Sequence, residues 1–120
     1  MTPKPNDPCI GHIAPDQLRT WAAQILIGFG VDEKAAHATG EMLIEADIHG
    51  LQSRGVSVML ARYLLVMERG LVARGSDIKI IQETPTTALI SGCNNLGAIV
   101  AANATDLALQ KARPSSLACI

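Results

Sequence analysis

The sequence predicts an α+β fold: N-terminal helices, then a strand pair, a helix and the start of another strand. Three observations carry that expectation. Apolar residues recur with helical spacing over three successive segments between residues 15 and 70. The period changes over residues 78–90, where β-branched residues cluster on either side of a turn. An Ala-rich helical stretch then leads into the apolar run Leu117-Ala118-Cys119-Ile120.

Residues 1–13 read as a flexible leader, because closely spaced prolines deny the backbone regular hydrogen bonds, and residues 14–120 read as the domain. Pro15 suits a first helical position, where its missing N–H costs nothing. From there Leu18, Trp21, Ala22, Ile25, Leu26 and Phe29 form one stripe, and Gly28 to Gly30 stop the helix. Asp32 is the N-cap of a second helix, with Glu33 favourably placed against the dipole. Its stripe is Ala35, Ala38, Met42, Leu43 and Ala46, and it ends near Gly50. A polar link, Leu51 to Gly55, opens a third helix carrying Val56, Leu60, Tyr63, Leu64 and Met67 on one face, with Gly70 at its C-terminal end. Residues 78–81 and 86–90 read as strands around a turn at Glu83-Thr84-Pro85. A loop with Gly92, Asn94, Asn95 and Gly97 precedes the Ala-rich helix, expected over residues 98–113. A strand begun at residue 117, with nothing to pair with or continue into, reads as the opening of a larger α+β domain.

Composition excludes several classes. The chain has 120 residues, 48% of them apolar, and balances 10 basic against 11 acidic residues for a net charge of −1. That is enough chain for one core, and it leaves no electrostatic footprint for nucleic acid or an anionic membrane. One Phe, one Tyr and one Trp offer no stacking platform for bases. Cys9, Cys93 and Cys119 form no CxxC pair, so neither a zinc site nor a redox motif is supported. Cys93 and Cys119 are expected as small buried hydrophobes, and a reducing cytoplasm fits this usage. The N-terminus lacks the apolar region of a signal peptide, and no run reaches transmembrane length.

Few motifs carry chemistry. Gly28-Phe29-Gly30 closes a helix instead of following a strand, so it reads as a helix stop and not a dinucleotide loop. His12, His37 and His49 have no titratable partner in the pattern, and His49 near a helix C-terminus suits the dipole there. Glu41, Glu45 and Asp47 read as a solvated acidic face. The segment that stands out is Glu45 to Gly55, in which two helices meet through a link holding two glycines, a serine and a cation. If Ser53 caps the third helix, its free N–H groups and Arg54 would make a small anion pocket suited to a carboxylate. The plainer alternative is a capped turn with a solvent-facing Arg54.

Ala46-Asp47-Ile48-His49-Gly50-Leu51-Gln52-Ser53-Arg54-Gly55, with Tyr63 downstream, resembles the AD-x-x-G-x-x-SHG stretch of the malate/L-lactate dehydrogenase family. Asn94-Asn95-Leu96-Gly97 is similar to that family's D-x-x-N-G-x-G turn, and Lys111-Ala112-Arg113 to its A-x-x-K-A-R helix. The resemblance runs from about residue 14 to residue 120 and matches only the N-terminal part of a family member. It implies the truncated portion of a larger non-Rossmann dehydrogenase fold. It also implies hydride transfer between NAD or NADP and a 2-hydroxy acid, a 2-oxo acid or a cyclic imine, by a homodimer.

Two departures from the family stand out. Arg54 takes the position of the histidine often assigned as proton donor; arginine stays protonated and cannot shuttle a proton, though it can grip a carboxylate. The stretch from Gly55 to Tyr63 runs one residue longer than usual, with Ser57-Val58-Met59 where many members carry an arginine. The family's N-S-x-H-[FY]-G segment and its cofactor-binding regions have no match in the sequence, so cofactor-binding residues are not assigned and little activity is expected of this chain alone. Ser53 and Arg54 are the substrate-binding candidates, and no metal ligands are expected. The alternative from another class is a non-catalytic interaction module that docks exposed apolar faces on a partner.

Overall fold

The computed structural model describes residue 11 and residues 13–120, so the expected leader, apart from Gly11 and Ile13, lies outside the described residues. The elements run α1 (Pro15–Gly28), α2 (Glu33–Ile48), a 3-10 turn (Gln52–Arg54), α3 (Val56–Glu68), β1 (Lys79–Glu83), β2 (Ala88–Ser91) and α4 (Gly97–Ser115). This is the α+β order expected. No helix among the described residues is long and apolar enough to cross a membrane.

Local chemistry sets the first three helices. Pro15 occupies the first turn of α1, and the Asp32 carboxylate accepts from the N–H groups of Lys34 and Ala35 at the start of α2. All three end alike, on a glycine with positive φ: Gly30 at 82°, Gly50 at 76° and Gly70 at 67°. At each end the glycine N–H and the next N–H turn back to helix carbonyls, as in Gly50 to Asp47 and Leu51 to Ala46. This is the Schellman arrangement, which satisfies carbonyls that a helix end would leave bare.

α2 is the hub, packed against α1, α3 and α4. Leu26 of α1, Ala35 and Ala36 of α2, Met67 of α3, and Leu96 and Ile99 at the start of α4 share the core, all nearly inaccessible to water. Leu60, Tyr63 and Leu64 pack against its edge, as the third helix's stripe required. α1 and α2 approach closely at Gly40, where a Cβ would stand 3.2 Å from the carbonyl oxygen of Arg19. The buried face of α1 is narrower than its stripe: Ala22, Ala23 and Leu26 are inside, whereas Trp21 and Ile25 are 44% and 43% exposed. Small residues bring α1 onto α2, and at that spacing the larger neighbours fall outside the contact.

The hairpin pairs β1 with β2 antiparallel, from Lys79 opposite Ser91 to Glu83 opposite Ala88, with a register shift between Ile80 and Gln82. The strands lie one to two residues later than the 78–81 and 86–90 expected, and α4 extends one residue earlier and two later than residues 98–113. Lys111, almost fully buried, donates from Nζ to the Thr84 carbonyl at 2.6 Å and pairs with Glu83 at 2.8 Å, fastening α4 to the hairpin tip. Asn94 and Asn95 tie the preceding segment down, donating from their side-chain amides to the carbonyls of Leu71 and Asp77.

Two expectations are corrected. The last residues do find a partner: Cys119 accepts from the Ala88 N–H and donates to the Thr86 carbonyl, both at 3.0 Å, in a parallel bridge beside β2. The reason is topological, since α4 carries the chain back over the hairpin so that it returns in the direction of β2. Cys93 and Cys119 are exposed and not buried, Cys93 standing in a turn with φ at 51°.

Replacing Leu26 with Ala is expected to cost about 2–5 kcal/mol in denaturant unfolding, as for other fully buried leucines. The same change at exposed Leu65 is expected to stay within about 0.5 kcal/mol. Equal losses would contradict the core assignment.

Candidate functional site: a cationic cleft between α2 and α3

The segment singled out in the sequence builds one wall of a cleft of about 570 Å³. Met42 and Ala46 come from α2, Leu51, Ser53 and Arg54 from the link, and Met59, Arg62 and Tyr63 from α3. Met59, Arg62 and Tyr63 share a face because residues three and four apart are neighbours on a helix. Ser53 and Arg54 both line this cleft. Arg62 was missed, although its spacing from Met59 marks the same face. His37 and His49 do not line the cleft; the His49 ring Nδ1 lies 2.8 Å from the Glu45 carbonyl oxygen, and His12 lies outside the described residues.

The link is held by its backbone. Gly50 and Leu51 close α2, Arg54 N–H donates to the Leu51 carbonyl at 2.8 Å, and Gly55 N–H donates to the Gln52 carbonyl at 3.2 Å. The start of α3 differs from the sequence expectation. Ser53 does not cap it, because the 3-10 turn places Ser53 two residues too early and the N-cap position falls on Gly55, which has no side chain. The cap comes from α2: Asp47 Oδ2 accepts the Val56 N–H at 2.8 Å. A negative group there also suits the positive end of the α3 dipole.

That contact explains Gly55. Its φ of −82° and ψ of −178° are extended values that any residue adopts. The constraint is space, since a Cβ at Gly55 would fall inside the Asp47 carboxylate. The acidic face of α2 is accordingly not a plain solvated surface. Arg19 of α1 reaches Glu41 and Glu45 as well as its neighbour Asp16, and Asp47 caps α3. Arg19 Nε, 3.1 Å from Glu41, makes an ion-pair contact without an aligned hydrogen bond.

Chemically, the cleft joins two cations to an apolar wall. Neither Arg54 nor Arg62 has an ion-pair partner among the described residues, and both are exposed. Guanidinium forks of this kind bind carboxylates and sulfonates. Asp47 occupies the Val56 amide where an anion pocket was expected, and the polar side chains lining the cleft are Arg54, Arg62, Ser53 and Tyr63. Tyr63 is half-buried, and burial raises its phenol above the ordinary 10.0, partly offset by the charge of Arg62. No group of three or more His, Cys, Asp or Glu among the described residues could hold a metal ion. Three places are unavailable to a dinucleotide phosphate: Gly28-Phe29-Gly30 closes α1, and carboxylates occupy amides at the starts of α2 and α3.

Two outcomes follow from this geometry. Gly55→Ala is expected to displace Asp47 and cost about 1–2 kcal/mol, the scale of a lost cap. In the Asp47→Ala background the same substitution is expected to cost much less, and additive losses in the double-mutant cycle would contradict the contact. Tyr63 is the sole tyrosine, so ultraviolet titration reads it directly and is expected to place its midpoint above 10.0. The native state holds that proton more tightly than the unfolded chain. The associated stability is thus complete below the unfolded pKa and lost as pH rises through the native one. A midpoint below 10.0 would contradict the burial of the ring.

Residues 13–120 match the family model described as malate/L-lactate dehydrogenase. L-sulfolactate dehydrogenase of Methanocaldococcus jannaschii is 33% identical over 84% of this chain and 29% of its own length. Malate dehydrogenase of Pyrococcus abyssi is 33% identical over 91% of this chain and 30% of its own. The solved structure of malate dehydrogenase from Pyrococcus horikoshii superposes with a TM-score of 0.84 at 32% identity, covering 91% of this chain and 31% of that one. The chain thus spans under a third of the length of these relatives. It belongs to the malate/L-lactate dehydrogenase family, and its residues correspond to the N-terminal part of that fold.

Proposed function

We propose that this chain is the acid-binding part of an NAD(P)-dependent oxidoreductase that interconverts a 2-hydroxy acid and a 2-oxo acid. The observation that carries the reading is the pair Arg54 and Arg62 in one cleft, neither with an ion-pair partner among the described residues. Arg54 grips the substrate carboxylate through its fork, Ser53 adds a hydroxyl donor, and Arg62 supplies a second charge. Two cations favour substrates with two acid groups. Malate and sulfolactate, named for the relatives, are of that kind, whereas a cyclic imine acid with one carboxylate leaves a guanidinium unpaired.

Arg54 is not the proton donor, because guanidinium keeps its proton throughout the useful pH range. The proton and the nicotinamide that supplies hydride are therefore held by other residues of the whole protein, and this chain alone has little activity. What supports that is coverage: about 70% of each relative's length has no counterpart here. The working assembly is the homodimer that the family resemblance implies, and the cysteine usage fits a reducing cytoplasm.

The test has two arms. Titrating the chain with malate and with lactate is expected to show tighter binding of the diacid. Arg54→Ala is expected to weaken malate by roughly tenfold to a hundredfold, since hydrogen bonds to charged groups contribute about 1.5–3 kcal/mol. Adding NADH or NADPH with a panel of 2-oxo acids is expected to give no sustained loss of the reduced cofactor, and Arg54→His is expected not to create any. Equal affinity for mono- and diacids with indifference to Arg54 would overturn the binding role, and robust turnover would overturn the claim of incapacity.

A further inference from the structure

We infer that Asp47 is the positioning residue of the cleft: its contact with Val56 over Gly55 orients the link so that Arg54 faces a bound acid. The inference rests on the acid-binding reading and adds a residue that does not itself line the cleft.

Arg54 depends on its backbone for direction. Its guanidinium makes no hydrogen bond or ion pair to a described residue, and nor do the side chains of Gln52 and Ser53. The link has internal hydrogen bonds from Arg54 to Leu51 and from Gly55 to Gln52, and the α2 end holds Leu51 through the Ala46 carbonyl. These bonds shape the link, and α3 is held beyond it by packing on α2 and the core, but neither fixes the first turn of α3 to the last turn of α2 by a hydrogen bond. Asp47 supplies the missing restraint, because it belongs to the last turn of α2 and binds the first amide of α3. Gly55 lets the carboxylate in, and the two residues interlock by shape as well as by hydrogen bond.

Asp47 also directs where an acid lands. An uncapped α3 N-terminus beside Arg54 would itself attract an anion. With a carboxylate already seated on Val56 N–H, that end carries a negative charge of its own, which turns the ligand's acid groups toward the guanidiniums. Small displacements of such a group weaken binding steeply, which is why supporting contacts matter at a site.

The test uses the 120-residue chain, with malate as the probe and the backbone heteronuclear NOE of Arg54 as a second readout. Asp47→Ala is expected to lower the Arg54 NOE and weaken malate by about tenfold. Asp47→Asn keeps an oxygen acceptor for Val56 N–H and is expected to restore affinity to within about threefold. Asp32→Ala removes the equivalent cap from α2, away from the cleft, and is expected to leave malate affinity unchanged while lowering stability. If Asp47→Ala fails to fold, Asp47→Glu, whose longer side chain cannot seat over Gly55, is the second variant, expected to show the same losses. The inference is overturned if Asp47→Ala keeps both the NOE and the affinity, or if Asp32→Ala weakens malate equally. Should the wild-type chain bind no malate, the acid-binding reading falls, and the Arg54 NOE alone decides whether Asp47 orders the link.

Discussion

One carboxylate joins the two helices that wall the cleft. Asp47, at the end of α2, caps α3 across a link in which Gly55 has given up its side chain to make room. The 3-10 turn builds itself from backbone hydrogen bonds, and the Asp47 contact ties its α3 end to the last turn of α2, beside the cleft. The contact is economical in its chemistry, since one group satisfies an orphan amide, complements a helix dipole and fills the space above a glycine.

The rest of the chain supplies a rigid base for that junction. α2 packs on α1, α3 and α4, and Leu43 and Ile44, buried in the turn before Asp47, anchor its C-terminal half. Arg19 adds a charged clamp between α1 and α2 through Glu41 and Glu45, just before Asp47. On the far side, Lys111 and the two asparagines of the turn before α4 fasten the hairpin and the preceding loop. Fixed elements on both sides leave the cleft's two guanidiniums as cations that a ligand can claim.

Much of this architecture was legible in the sequence, and what was legible was local. Pro15, Asp32 and the glycines at 30, 50 and 70 act within a few residues of the helix ends they define, so their signals could be read in order. The period change around residue 80 marked the hairpin for the same reason. What could not be read depends on partners distant in sequence. The exposure of Trp21 reflects how closely α1 approaches Gly40, and the pairing of Cys119 reflects the path of α4. Ser53 and Arg54, singled out from residue type and resemblance, both line the cleft. Ser53 was the local candidate for a cap that a residue nine positions from Val56 provides, because local capping rules do not look back across a link. Arg62 was within reach, as its helical spacing from Met59 places it on the cleft face.

The Arg54 substitution takes on meaning in this frame. A histidine at that position could exchange a proton; an arginine can only bind and orient. Under the proposed acid-binding reading the cleft recognises and does not shuttle protons, and it depends on being held in one shape. The most direct measurement is a through-hydrogen-bond scalar coupling in the isotopically labelled chain, between the Val56 amide nitrogen and the Asp47 side-chain carboxyl carbon. The interlock requires that coupling to be observed, and to vanish in Asp47→Ala. A Val56 amide that shows no coupling and exchanges with water as freely as a frayed helix end would contradict it.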